Sequence, residues 1–208
     1  APEAGTERLR TVLHKGLSDE QVLQAVSCLL EGGVPSIRLY FMLGLPTETA
    51  ADVDAITGLV RRIRHVFVSR SRGHGRIGQI TLSVSSFVPK PHTPFQWHPF
   101  EPLASLKAKF KHVQRSIRPI PNVQVHYDVP KWSYVEALLS RGDRRAGRLL
   151  LEAVRTGDWT RSLRGSSVNA DFFVHRQREE DELFPWDFID HGVSKRFLWD
   201  QYQRALKE

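Results

Sequence analysis

The chain has 208 residues, of which 40% are hydrophobic and 25% charged, enough to pack one substantial domain or a domain with an appendage. No apolar run approaches the roughly 20 residues of a membrane span, and the opening residues lack the charged, apolar and small-residue order of a signal peptide. The expectation is a protein without a membrane segment, in the cytoplasm or a reducing organelle interior, since the single cysteine, Cys28, allows no intrachain disulfide.

The net charge of +7 is unevenly placed: residues 55–127 hold one acid, Glu101, against twelve Lys and Arg. Such a field attracts RNA, phosphates or an acidic protein, although basic side chains also coat solvated helix faces for solubility. Met42 is the only methionine, so the chain is expected to be a piece, or the ordered part, of something longer.

From the N-terminus, "TERLRTVLHKG" reads as a short helix closed by Gly16. Ser18 with Gln21 forms a capping box for a helix over about 19–31 that stops at Gly32-Gly33. "SIRLYFML" (36–43) reads as a buried strand. Thr49 caps the next helix, whose apolar stripe runs through Val53, Ile56, Val60 and Ile63. The segment 61–76 then carries six arginines, with Arg70, Arg72 and Arg76 placed in a Ser/Gly-rich loop, the best local candidate for an anion or RNA contact. "QITLSVSSFV" (79–88) is a second strand, 103–117 a helix ended by Pro119, and "VQVHYD" (123–128) a further short strand.

Strand and helix thus alternate, with loops too long for hairpins, the signature of βαβ units and a parallel sheet of three strands with a fourth expected at its edge. After Lys131 the pattern turns helical: two helices around Gly142-Asp143, an irregular Trp-rich stretch over 157–192, and a last helix capped by Ser194. The fold class is therefore α/β, with residues 1–130 as the sheet-containing part and 131–208 as a helical appendage.

Two strand exits stand out. Gly44-Leu45-Pro46-Thr47-Glu48-Thr49 follows the first strand: glycine admits close approach, proline stiffens the exit, and the carboxylate complements a helix N-terminus. This suits either a rigid lip beside a ligand or a well-made turn with no ligand. "SSFVPKPHTPFQWHPF" (85–100) leaves the second strand through four prolines, which excludes helix and central sheet and places Lys90, His92, Thr93 and Gln96 on a stiff loop over the same rim.

In this order, "APEAGTERLRTVLHKG", "LYFMLGLPTETAADV" and "VSSFVPKPHTPFQW" resemble the later strands of radical S-adenosylmethionine proteins, in the group that often carries an upstream cobalamin-binding-type domain. "SRGDRRAGRLLLEA" and "LFPWDFIDHGVSKRFLWDQY" are similar to the segment following the barrel there. The resemblance implies half of a partial TIM-type barrel in residues 1–130. It implies adenosylmethionine contacts at Glu3, Gly5, Leu43, Gly44, Pro46, Glu48, Val88 and Pro89, and a substrate opening near Lys90, His92 and Thr93. It also implies a 4Fe–4S cluster, with cobalamin as a further cofactor of the full-length protein. The chain departs from the pattern in lacking C-x-x-x-C-x-x-C. The cluster ligands are accordingly expected upstream, in the other half of the barrel, and the 208 residues are expected to be inactive alone. The alternative is a degenerate, non-catalytic domain acting as a structural or RNA-binding subunit through residues 55–127.

Other signals are set aside. Gly73, Gly75 and Gly78 satisfy G-x-G-x-x-G, but after a helix and before a strand, the wrong context for a dinucleotide. Nothing in the sequence brings His126 and Asp128 to Asp187, Asp190 and His191 as metal ligands, and the two aspartates suit turn caps better. Cys28 reads as a helix core residue. The tryptophans read as packing residues.

Overall fold

The computed structural model describes residues 1–71 and 78–208. The chain divides into two units: the first comprises 1–87, 104–130 and 204–208, and the second 88–103 and 131–203. The proline-rich segment 88–103, placed with residues 1–130 on sequence grounds, thus goes with the later helices.

The first unit is α/β. Its elements are α1 (Glu7–Val12), α2 (Asp19–Glu31), β1 (Ser36–Leu43), α3 (Ala50–Ser71), β2 (Gln79–Ser86), α4 (Leu103–Ile117) and β3 (Val123–Tyr127). All three strands are parallel, in the order β1-β2-β3, with Leu39 opposite Leu82 and Leu82 opposite Val125. Among the described residues, a single parallel bridge on the outer side of β1 stands in place of the expected fourth strand. The Glu3 N–H donates to the Tyr40 carbonyl (2.9 Å) and the Met42 N–H to the Glu3 carbonyl (2.8 Å).

Alternation along the strands decides which face is covered. Ile37, Leu39, Phe41 and Leu43 of β1 and Ile80, Leu82 and Val84 of β2 are buried. The stripe Val53, Ile56, Leu59, Val60, Ile63 and Phe67 of α3, with Leu106, Phe110, Val113 and Ile117 of α4, completes the core. Each such side chain contributes about 1.5–3 kcal/mol by leaving water. The opposite face carries Arg38, Tyr40 and Met42 on β1, Thr81, Ser83 and Ser85 on β2, and Gln124 and His126 on β3; Tyr40 is 49% exposed. The first strand is therefore buried on one face only, not throughout as its composition implies. Parallel sheets are ordinarily covered on both faces, so this open polar face is unusual.

Capping is local and legible. Ser18 and Gln21 form the reciprocal capping box. The Asp52 N–H donates to Thr49 Oγ1 at the start of α3. Gly78 is set by close approach: a Cβ there would lie 1.8 Å from the Pro35 carbonyl oxygen. Two expectations need correction. Helix α3 continues through Ser71, so Arg70 sits in its last turn, not in a loop. Cys28 lies on α2 but is exposed, because Val22 and Val26 define the buried stripe of that helix and Cys28 falls off it.

The second unit contains α5 (Pro130–Arg141), α6 (Arg144–Thr156), α7 (Trp159–Gly165), α8 (Ala170–Val174) and most of α9 (Lys195–Ala205). The stretch 157–192, expected to be irregular, contains α7 and α8, capped by Asp158 and Asn169. Within the proline-rich segment, Pro94–Trp97 forms one 3-10 turn, which needs only a single turn of helical backbone and tolerates Pro94 at its start.

Arg141 organises this unit. Its side chain donates to the carbonyls of Phe173 (2.8 Å), Gln96 (3.3 Å), His98 and Arg176 (2.7 Å), which joins segment 96–98 to segment 173–176. Burial, with the charges of Arg178 and Arg176 nearby, lowers its pKa to about 9. Trp97 is fully buried against Trp199 and Phe184, and Arg178 lies 5.0 Å from the ring centres of both Phe184 and Trp186.

Candidate functional site at the carboxyl end of the sheet

Parallel strands aim their carboxyl ends at one rim, where ligands of α/β folds bind. In the first unit that rim is formed where β1 ends at Leu43, followed by Gly44, and β2 ends at Ser86, followed by Phe87. The Phe87 N–H donates to the Leu43 carbonyl at 2.8 Å, which ties the two exits together.

Gly44 has φ +83 and Thr47 φ +63, two left-handed residues within four positions. Glycine accommodates this freely, whereas threonine does so at a cost of order 1–3 kcal/mol unless its surroundings hold it. The surroundings do. The Arg8 guanidinium donates to Thr47 Oγ1 and to the Thr47 carbonyl, both at 2.9 Å. The same guanidinium pairs with Asp52 at 2.6 Å. Glu48, its side chain 2% exposed, accepts from the Gly44 N–H at 3.0 Å and from Lys109 Nζ of α4 at 2.6 Å. The lip is therefore locked from three sides.

Asp52 closes the lock, accepting from Thr6 Oγ1 (2.6 Å), Thr49 Oγ1 (2.7 Å) and the Thr49 N–H (2.9 Å). Burial alone would raise its pKa. The hydrogen bonds from Thr6, Thr49 and Arg8 outweigh it and hold the carboxyl at about 2.

The residues singled out from sequence fall as follows. Leu43 is fully buried with its side chain on the covered face, away from the open face that carries Met42. Pro46 is buried in the lip. Glu48 is engaged by Gly44 and Lys109. Glu3 occupies the bridge to β1 with φ +65, its carboxylate 3.4 Å from Lys15. Gly5 is required by packing: a Cβ would lie 2.5 Å from Asp52 O and Ile56 N of α3.

Val88 and Pro89 continue the chain from Phe87 into the second unit. There Lys90 pairs with Glu136, Thr93 Oγ1 donates to the Lys90 carbonyl (2.8 Å), and His92, at φ +58, sets its ring 4.1 Å from that of His191. Gln96 does not project from this loop; it is 3% exposed, its Oε1 accepting from the His92 N–H and from Trp186 Nε1. His92, Gln96, Asp187, Asp190 and His191 line a pocket of about 360 Å³ within the second unit. Asp187 and Asp190 serve local turns, accepting from the N–H groups of Phe184 and Gly192. Among the described residues no three His, Cys, Asp or Glu side chains gather as metal donors. Arg70 pairs with Glu31 at 3.1 Å; Arg72, Arg76, Gly73 and Gly75 lie outside the described residues.

Sequence reading missed Arg8, Thr47, Asp52 and Lys109, which hold the lip, and the largely polar open-face row Arg38, Tyr40, Met42, Thr81, Ser83 and Ser85, in which Met42 is the apolar member. The row was visible as alternation in "SIRLYFML" and "QITLSVSS". The lip network was not, since Arg8 and Lys109 lie 39 and 61 positions from their partners.

Comparison with known proteins adds one relative. Over 150 residues the chain is 30% identical to an uncharacterised protein of Methanocaldococcus jannaschii, a match covering 72% of this chain and 31% of that protein. The chain thus spans about a third of the length of the relative it matches. No family model matches the chain, and no solved structure does. No helix among the described residues is long and apolar enough to cross a membrane.

Proposed function

We propose that this chain is the C-terminal part of a radical S-adenosylmethionine protein, whose sheet continues an incomplete parallel barrel and whose Gly44–Glu48 lip borders adenosylmethionine. The observation that carries this reading is the one-sided sheet: three parallel strands under helices, an opposite face lined with polar side chains, and a parallel bridge at Glu3 along the outer edge of β1. A partial barrel wall would present helices outside and alternate side chains inward. The polar inward side chains differ from the packed Val, Ile and Leu interior of a closed barrel and, in this reading, face a bound ligand.

The chain's own residues would then act in holding a nucleoside. Gly44 permits close backbone approach, the Arg8–Asp52 and Glu48–Lys109 pairs keep the lip in place, and Met42 beside Ser85 forms the open-face surface nearest the rim. The residues present do not fit the iron–sulfur cluster, because one thiol, exposed on α2, cannot supply the three thiolates such a cluster takes. In this reading those thiolates come from upstream, and cobalamin, where the full protein binds it, from further upstream still.

The alternative, a non-catalytic domain gripping RNA or an acidic subunit through residues 55–127, rests on the absent cluster cysteines and on charge. Much of that charge is engaged internally: Arg62 with Asp19, Arg64 with the Pro121 carbonyl, Arg70 with Glu31, Lys90 with Glu136 and Lys109 with Glu48. The two readings separate in an equilibrium titration of a longer chain, carrying the upstream strands, with adenosylmethionine and with a single-stranded RNA. Adenosylmethionine binding weakened by Gly44→Val supports the enzyme reading. RNA binding with no adenosylmethionine binding supports the other.

A further inference from the structure

We propose that the outward flank of α6 is a docking surface for an acidic amphipathic helix of a partner protein. Helix α6 has three distinct sides. Ala146, Leu149 and Ala153 are buried in the second unit. At about 100° per residue, Gly147, Leu150, Leu151 and Val154 fall on a second arc, and Arg144, Arg148 and Arg155 on a third beside it. The second arc is apolar yet open to solvent: Leu150 is 42%, Leu151 66% and Val154 74% exposed. Three large aliphatic side chains at i, i+1 and i+4 form a ridge of the kind that seats in the groove of a facing helix.

Gly147 points to the same partner. A glycine inside a helix is unfavourable relative to alanine, and it persists where something needs the space. Among the described residues nothing does, since a Cβ at Gly147 would meet no atom within 4 Å. The gap sits one turn before the Leu150–Val154 ridge, where it would let a second helix backbone come close.

Charge selects the partner. Arg148 and Arg155 make no ion pair or hydrogen bond among the described residues, so the ridge is bordered by a net positive charge, Arg144, Arg148 and Arg155 against the single Glu152 beside them. A partner helix with an apolar stripe edged by Glu or Asp complements both features. A second copy would bring arginine against arginine. A lipid surface would favour the aromatic anchors this arc lacks, and the ridge offers RNA bases no stacking ring.

The test titrates the full chain with a synthetic helical peptide bearing a leucine stripe edged by glutamates. The controls are the same peptide edged by lysines, vesicles of phosphatidylcholine with phosphatidylglycerol, and a single-stranded RNA. Binding of the acidic peptide is expected to weaken at least about tenfold in Leu151→Ser/Val154→Ser and in Arg148→Gln/Arg155→Gln. Gly147→Leu is expected to weaken it similarly while the melting temperature stays level or rises, because leucine is the better helix former. Equal binding of the lysine-edged peptide overturns the proposal. So does unchanged binding by Gly147→Leu, binding to vesicles or RNA but not to the peptide, or self-association of the chain that Leu151→Ser abolishes.

Discussion

Glu48 and Lys109, 61 positions apart, meet at 2.6 Å, with the carboxylate 2% exposed and also holding the Gly44 N–H. The pair fastens the exit of β1 to α4, and so sets the position of the lip relative to the helix layer. Burying a carboxylate is costly unless it is paired and hydrogen-bonded, and here Lys109 and the Gly44 N–H supply both.

Glu48→Ala is therefore expected to destabilise the chain strongly. Removing one partner of a buried ion pair costs about 3–5 kcal/mol, and the partial exposure of Lys109 puts this case near the lower end. Urea unfolding of Glu48→Ala, Lys109→Met and the double variant checks it, with a double variant less damaged than the two losses summed. Additive losses would show that the two side chains do not act as a pair.

Asp52 predicts a pH dependence. Its folded pKa, about 2, lies below the ordinary 3.8, so the folded state holds the charged form more firmly than the unfolded chain does. The stabilisation is complete above about pH 5 and is lost progressively as the pH falls through about 4 and then about 2, a loss of about 2 kcal/mol for a shift of this size. Asp52→Asn should flatten that part of the stability profile. An unchanged acid limb in Asp52→Asn would mean that the Thr6–Thr49–Arg8 network does not hold the proton off.

The two faces of the sheet predict opposite responses. Leu39→Ala, on the covered face, should cost about 2–5 kcal/mol, whereas Tyr40→Ser, next to it on the open face, should stay within about 0.5 kcal/mol in the 208-residue chain. In a longer chain with the upstream strands, Tyr40→Ser and Met42→Ala should instead weaken adenosylmethionine binding. Thermal unfolding and calorimetric titration provide the two readouts. A large stability loss from Tyr40→Ser in the 208-residue chain would show that the open face is already covered.

How much of this could be read in the sequence depends on the range of the forces involved. The β1 span, the Ser18 capping box and the start of α3 were legible, because strand alternation and capping act over a few residues. The parallel sheet followed from the alternation of elements. The end of α3 was misplaced because the Ser- and Arg-rich composition of 68–72 resembles a loop, while Phe67 still anchors the helix to the core. Gln96 was misassigned to the surface because its burial depends on Trp186, 90 positions away. Gly44 could be singled out as a lip residue, yet the reason the lip is rigid lies in Arg8 and Lys109, whose pairing no local pattern announces.

The most direct test of the central claim is the iron content after anaerobic reconstitution with iron and sulfide, measured for the 208-residue chain and for a longer chain that includes the upstream strands. One exposed thiol cannot hold a cluster, so the 208 residues should retain no stoichiometric iron, and the longer chain should retain about four irons with a charge-transfer band near roughly 400 nm. Four irons on the 208-residue chain, or none on the longer one, would contradict the account.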